Sequence, residues 1–276
     1  MNHLRQLLET EEVQPGRSQE GRLDRAALDL ATIQFPDLEP EPFLDQLNEL
    51  ASRLADRMRN FNDGRDFVET AQRYLFGELG FHGVEGGEDN FFDARNSCLN
   101  QVLERRTGIP ITLSVMYMEI ARRLRMPVYG IGLPRHFVLQ FDDGNYSTFI
   151  DPFHGGRTIT ARDCFILAEA RIADLALLQR VSNKQIAMRM VQNLHRVYLR
   201  ARDYKRAVAT LDLMIAGAPE TAPWYKFRGA LLVETHRWQA ARRDFEKYLA
   251  MEPGAEDREE ILDHIRSIQR LIAQVN

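Results

Sequence analysis

Three residue types near the middle of the chain could together transfer an acyl group. Cys98, His136 and Asp151 supply a thiol, an imidazole and a carboxylate. In a cysteine acyl-transfer site the thiolate is the nucleophile, the imidazole lowers the thiol pKa from about 8.5, and the carboxylate orients the imidazole. These three residues are therefore the candidate catalytic residues.

The elements that carry His136 and Asp151 predict a contact between them. Residues 136–141 and 146–151 alternate as two strands joined by an Asp-Asp-Gly-Asn turn. Pairing through the middle of that turn sets His136 opposite Asp151, within reach of a cross-strand contact. The alternative is that His136 only caps a strand and that Asp151 only starts a turn before Pro152.

Cys98 belongs to a different predicted element. Asn96 or Ser97 can cap a helix that begins near Cys98 and ends at Gly108. A place in the first turn favours a thiolate through the positive end of the helix dipole. The alternative is a small buried hydrophobe, the usual state of a free cysteine on an amphipathic helix. Cys164, on a later apolar helix, is expected to pack in the same way.

The patterning around these residues predicts an α+β domain over residues 21–180, after a polar lead-in at 1–20. Apolar residues recur at helical spacing from Gly21 to Leu79, and Pro110 suits the first turn of a further helix. The segments 128–133, 136–141 and 146–151 then alternate as three strands. Helices followed by a small antiparallel sheet give the α+β class.

The C-terminal third, residues 184–276, repeats with a period of 34. Ala207 and Ala241 are equivalent positions, and Gly229 stands where two helices approach closely. Small residues at helix contacts and a closing proline in each copy are typical of tetratricopeptide repeats. Because such helical hairpins must stack on neighbours, we expect a terminal capping helix over about 257–273.

The segment from Asn96 to Gly156, followed by these repeats, resembles the SirB-type proteins of the transglutaminase-like superfamily. The resemblance covers most of the chain. Its most specific pieces are LNQVLERRTGIPITLS, LPRHF and IDPFHGG. It implies a papain-like core after a helical N-terminal region, with the repeats behind it.

The same resemblance implies a disabled catalytic triad. His136 and Asp151 match the family's histidine and aspartate, but the matching nucleophile helix begins near Pro110. No cysteine stands between Pro110 and Thr112, and Cys98 lies one helix too early. Thr112 or Ser114 could substitute only with stronger activation than a thiol needs. Cys98 could act only if its helix starts beside the same pocket.

Composition excludes several other classes of function. The net charge of −4 gives no general attraction to nucleic acid or to an anionic membrane, and no apolar run approaches the roughly 20 residues of a membrane span. Asp151 and His154 alone make a poor metal motif, and no glycine loop cradles phosphate, so we expect no metal and no cofactor. Two cysteines cannot form a disulfide framework. We expect a cytoplasmic protein.

The arginines near the candidate site allow two interpretations. Arginine forks suit carboxylate or phosphate ligands, whereas the simpler interpretation is solvated helix faces with acidic neighbours such as Glu104 and Glu119. The residues concerned are Arg105, Arg106, Arg122, Arg123, Arg125 and Arg135.

Two functions follow from these observations. The first is a non-catalytic regulator or scaffold that binds a protein or peptide through the concave surface of its repeats. The second is a cysteine-dependent amidase, peptidase or acyltransferase, with Cys98 as nucleophile, His136 as base and Asp151 as orienter.

Overall fold

The computed structural model describes residues 1–11, 21–170 and 172–275 and divides into two compact units. The first unit is Met1–Met190 and the second is Val191–Asn276. The first combines helices with a small antiparallel sheet and the second is helical, so the α+β class is confirmed. The division falls about ten residues later than the predicted end of the first domain at 180.

Helices precede the sheet in the first unit, as the hydrophobic spacing predicts. The first helices bury one apolar face each, and α4 continues directly into a π-helical turn at Gln72–Glu78. The helices of this unit are α1 (Asn2–Glu9), α2 (Leu23–Ala31), α3 (Glu41–Ala55), α4 (Gly64–Ala71), α5 (Glu88–Phe91), α6 (Leu99–Arg105), α7 (Pro110–Arg123) and α8 (Ala161–Leu167).

The start of the chain differs from the predicted polar lead-in. Residues 2–9 form helix α1, in which Leu4, Leu7 and Leu8 are buried. Their spacing of three and four residues places all three on one face, and α1 packs against α2. The prediction of a polar lead-in is therefore wrong for this stretch, whereas residues 12–20 lie outside the described residues.

The sheet is formed by five antiparallel strands in the order β6-β5-β4-β3-β7. The three predicted strands are its centre, and the short strands β6 and β7 were not predicted. A separate parallel pair, β1 with β2, lies in the stretch predicted as a loop and at the end of the α6 segment. The strands are β1 (His82–Gly83), β2 (Thr107–Gly108), β3 (Val128–Ile131), β4 (Val138–Asp142), β5 (Ser147–Asp151), β6 (Arg157–Ile159) and β7 (Arg180–Val181).

The register of the β4–β5 hairpin differs from the predicted register by two residues. Leu139 pairs with Ile150, so the partner of Asp151 in this register is Val138 rather than His136. The Asp143 carboxylate accepts hydrogen bonds from the backbone N–H groups of Asn145 and Tyr146 at 2.8 Å each, which moves the turn along the chain. His136 consequently lies in the loop before β4.

Helix α7 lies at the centre of the first unit. Nearly every residue from Pro110 to Ala121 is buried, so α7 is covered on all sides instead of along one stripe. Pro110 occupies the first turn as predicted, and Thr112 Oγ1 accepts a hydrogen bond from the Ile109 N–H at 3.1 Å. α7 packs against α3, α2 and the 3-10 turn Pro152–His154.

Two of the arginines, Arg122 and Arg123, take part in an ionic network around two buried carboxylates. Arg123 Nη2 donates to the buried Asp24 at 2.7 Å and Nη1 donates to the buried Glu119 at 3.0 Å. Arg122 bonds to both of these carboxylates, and Arg22 bonds to Asp24. The acidic neighbours of the simpler interpretation are present, but its solvated face is wrong for Arg123, whose side chain is only 10% exposed. Asp24 is a partner that the sequence did not indicate.

The second unit contains the predicted helical hairpins. Ala207 and Ala241 are fully buried, and a side chain at Gly229 would meet the Phe245 ring at 2.9 Å. The helices are α9 (Asn183–Arg200, whose first part belongs to the first unit), α10 (Tyr204–Gly217), α11 (Ala222–Glu234), α12 (Trp238–Met251) and α13 (Arg258–Val275). α13 packs on α12 as the expected capping helix.

Candidate functional site

A tight loop between β3 and β4 positions His136. Arg135 adopts the left-handed conformation at φ 58°, and the His136 N–H donates to the Leu133 carbonyl at 3.3 Å. Arg189 Nη2 donates to the carbonyl oxygens of both Leu133 and His136 at 2.7 Å. Three contacts therefore fix the backbone of a histidine that is only 8% exposed.

Asp151 is positioned by the 3-10 turn that directly follows it, which it caps. Asp151 ends β5 and caps the 3-10 turn Pro152–His154, where its Oδ1 accepts from the His154 N–H at 3.3 Å. Gly155 and Gly156 follow at φ 79° and 66°, a conformation that glycine adopts without strain. The Gly156 N–H then donates back to the Asp151 carbonyl at 2.9 Å. The Asp-Pro-Phe-His-Gly-Gly sequence thus makes a closed turn.

His136 and Asp151 are in contact, as the sequence predicted. His136 Nε2 lies 3.1 Å from Asp151 Oδ1, and His154 Nδ1 lies 2.6 Å from Oδ2 of the same carboxylate. Burial by itself would raise the pKa of Asp151, but the hydrogen bonds from His136 and His154 outweigh it and hold the pKa below its ordinary value. One buried carboxylate is therefore shared by two imidazoles.

Cys98 does not join this cluster. The ligand atoms of His136, Asp151 and His154 lie within 4.8 Å of one another, and among the described residues the group includes no cysteine. Cys98 is the N-cap of α6 and is fully buried. Burial, with the nearby Asp93 charge, raises its pKa to about 12. The expectation that the helix start favours a thiolate is wrong, because loss of solvation exceeds the dipole effect.

Neither hydroxyl at the start of α7 is available as a substitute nucleophile. Thr112 Oγ1 donates to the Asn96 carbonyl at 2.8 Å and is also bonded to Ile109. Ser114 is fully buried, and its Oγ has no hydrogen-bond partner among the residues that the structure describes. Burial excludes substrate from both groups. Cys164 is also fully buried, and burial, followed by the charges of Asp163 and Asp151, raises its pKa to about 12.

His154 is the member of the cluster that sequence reasoning undervalued. It was weighed with Asp151 alone as a poor metal motif, whereas the structure adds His136 as a third donor. An aspartate followed three residues later by histidine, with glycines behind, indicates a capped turn that returns the imidazole to the carboxylate. The centroids of the two imidazole rings lie 5.6 Å apart.

Chemically, the site can orient an imidazole and hold a negative charge, whereas the candidate nucleophiles Cys98, Thr112 and Ser114 are buried. The His136–Asp151 pair has the base-and-orienter arrangement of a triad. Helix α7, where the resemblance places the nucleophile, packs against the 3-10 turn that carries His154. Its first residues are Pro110, Ile111 and Thr112.

Comparisons with known proteins agree with both units. A family model of the transglutaminase-like superfamily matches residues 41–192, and a tetratricopeptide repeat model matches residues 194–266. Among the residues that the structure describes, no helix is long and apolar enough to cross a membrane.

Similar proteins occur in bacteria and in mammals. A UPF0162 protein of Xylella fastidiosa (strain 9a5c) is 29% identical over 247 residues, which is 87% of each chain. A UPF0162 protein of Pseudomonas aeruginosa is 29% identical over 233 residues, 83% of this chain and 84% of that protein. F-box only protein 21 of Homo sapiens is 32% identical over 157 residues, 53% of this chain and 24% of that protein. With more than half of its length matched by the family model, this chain belongs to the transglutaminase-like superfamily and carries tetratricopeptide repeats behind that domain.

Proposed function

We propose that this protein is a non-catalytic member of its superfamily that acts as a regulator or scaffold through protein–protein interaction. The observation that carries the proposal is that none of the candidate nucleophiles Cys98, Thr112 and Ser114 is accessible beside the His136–Asp151 pair. The start of α7 consists of Pro110, Ile111 and Thr112 and contains no cysteine. Cys98, the cysteine that is nearer in sequence to this helix start, is fully buried and has a raised pKa. A retained fold without a nucleophile serves binding better than acyl transfer.

The repeat unit supplies the surface for that interaction. Tetratricopeptide repeats commonly bind proteins or peptides, because stacked helical hairpins present an extended face. Phe227 on α11 is 52% exposed, so a hydrophobic group on this unit is accessible to a partner. We also propose that the protein is of the SirB type, that it is located in the cytoplasm and that it does not bind nucleic acid.

Two variants separate binding from catalysis. Affinity capture from cells is compared for the wild type, His136→Ala and Phe227→Ser, with quantitative mass spectrometry of the bound proteins. Phe227 is exposed, so Phe227→Ser should leave the thermal melting temperature unchanged and deplete specific partners. His136→Ala should retain them.

A catalytic role predicts a different pattern. Partners lost from His136→Ala but kept by Phe227→Ser would indicate that the triad region recognises a substrate. Time-dependent incorporation of an amine probe into glutamine-containing peptides by the wild type, absent from His136→Ala, would contradict the proposal directly.

A further inference from the structure

Three potential metal ligands converge where β5 ends. The donor atoms of His136, Asp151 and His154 all lie within 4.8 Å of one another, and no other such trio of His, Cys, Asp or Glu occurs in the described part of the chain. His136 and Asp151 are buried, whereas the His154 side chain is 44% exposed. The cluster is therefore enclosed on one side and open to solvent on the other.

We propose that these three residues bind one divalent first-row metal ion, with Zn²⁺ as the expected occupant. Two imidazoles and one carboxylate are the donors of many mononuclear zinc and iron sites that keep a coordination position open. The proposal goes beyond the non-catalytic function above and does not depend on it.

The distances suit such an ion after a small adjustment. Bonds of about 2.0–2.1 Å to a tetrahedral Zn²⁺ place neighbouring ligand atoms roughly 3.3 Å apart. His136 Nε2 lies 3.1 Å from Asp151 Oδ1 and is already near that spacing. His154 Nδ1 lies 2.6 Å from the other oxygen, Oδ2, and must withdraw by less than about 1 Å. His154 is the exposed member and has the freedom to move.

The two buried ligands are held in place before any ion arrives. Arg189 fixes the backbone at His136, and the Pro152–His154 turn fixes Asp151. Preorganised ligands need less ordering on binding, which favours affinity. One group opposes the ion: Arg157 Nη2 lies 3.9 Å from Asp151 Oδ2 and competes for the carboxylate. Removing that cation should therefore strengthen metal binding.

The test is calorimetric titration of untagged, chelator-treated protein with ZnCl₂ in excess MgCl₂, because Mg²⁺ prefers oxygen ligands. We expect one equivalent to bind, with the dissociation constant weakened at least about tenfold by His154→Asn or His136→Asn. Arg157→Gln should tighten binding several-fold. His264→Asn is the matched control, because His264 is a 54% exposed histidine beside Glu260 and is not a member of the cluster. It should leave the affinity unchanged.

A second probe keeps the test independent of folding. Cobalt(II) bound by two imidazoles and a carboxylate gives visible d–d absorption, which should appear with the wild type and be lost in His154→Asn. The melting temperature of His154→Asn is measured alongside, to show that this variant is folded. Zinc binding that is equal in the wild type and His154→Asn, or that disappears in His264→Asn, would overturn the site. So would the absence of binding at concentrations below about a millimolar.

Discussion

Protonation of Asp24 should remove a defined part of the stability of the first unit. Asp24 is fully buried and accepts hydrogen bonds from Arg22 and Arg123. Burial acts to raise its pKa, but these arginines outweigh it and lower the pKa from 3.8 to about 2. A difference of that size corresponds to about 2 kcal/mol of folding free energy.

The sign of the pH dependence follows from the lowered pKa. The contribution is complete above the unfolded-state value near 3.8 and disappears as the pH falls through the folded-state value of about 2. At pH 3 about half of it should remain. Asp24→Asn should destabilise the protein by about 2–4 kcal/mol at pH 7, because Arg123 loses a buried partner, and by about half as much at pH 3.

The assay is urea unfolding followed by far-UV circular dichroism at pH 7, 4 and 3. Both tryptophans, Trp224 and Trp238, lie in the second unit, so tryptophan fluorescence would follow that unit instead. Glu119→Gln is the control: burial followed by the charge of Asp24 raises the Glu119 pKa, which opposes the effect of Asp24. The Glu119→Gln variant should therefore lose at least as much stability between pH 7 and pH 3 as the wild type does.

A constant difference between the wild type and Asp24→Asn from pH 7 to pH 3 would refute this reasoning. It would mean that the asparagine disturbs packing and that the charge of Asp24 contributes nothing.

The remaining predictions concern packing in the two units. Gly229→Leu should wedge α11 from α12, since even a Cβ at Gly229 meets the Phe245 ring at 2.9 Å, and tryptophan fluorescence should show a loss of about 1–3 kcal/mol or more. Ala241→Phe should overpack the helix contact at the fully buried Ala241 and lower the free energy of unfolding by a similar amount. Gly83→Ala should cost about 1–3 kcal/mol by circular dichroism, since the new Cβ would stand 2.6 Å from the Phe153 ring and carbonyl oxygen.

One glycine variant serves as the control for this group. Gly77 has no atom within 4 Å of an added Cβ, so Gly77→Ala should leave stability unchanged or raise it slightly. Melting of Gly229→Leu and Ala241→Phe at the wild-type temperature would contradict the assigned helix contacts. Equal stability of Gly83→Ala and Gly77→Ala would contradict the close packing of β1 on the 3-10 turn.

Local sequence rules predicted the elements that repeat or alternate. The 34-residue spacing of Ala207 and Ala241 follows from identical packing positions in successive hairpins, and both residues are fully buried. Pro110 indicated the start of α7 because its fixed φ suits a first helical turn. In α1 the spacing of Leu4 and Leu8 carries the same information, although the polar residues around them favoured the interpretation as a polar lead-in.

Features that depend on packing could not be obtained in this way. The ionisation of Cys98 depends on burial by residues distant in sequence, and burial outweighs its favourable place at the start of α6. The contact between His136 and Asp151 was predicted, but the hairpin register was not, because side-chain hydrogen bonds of Asp143 decide where the turn closes. The short strand β7 has no pattern of its own and pairs only through β3.

The most direct test of a non-catalytic site is the alkylation rate of Cys98 against pH. Iodoacetamide labelling of the folded protein, followed by peptide mass spectrometry, separates Cys98 from the equally buried Cys164, and His136→Ala is the control variant. With a pKa raised to about 12, Cys98 should react slowly, show no inflection between about pH 6 and 9, and be unaffected by His136→Ala. Rapid labelling with an apparent pKa below about 7, raised in His136→Ala, would reveal a thiolate–imidazolium pair and contradict the account.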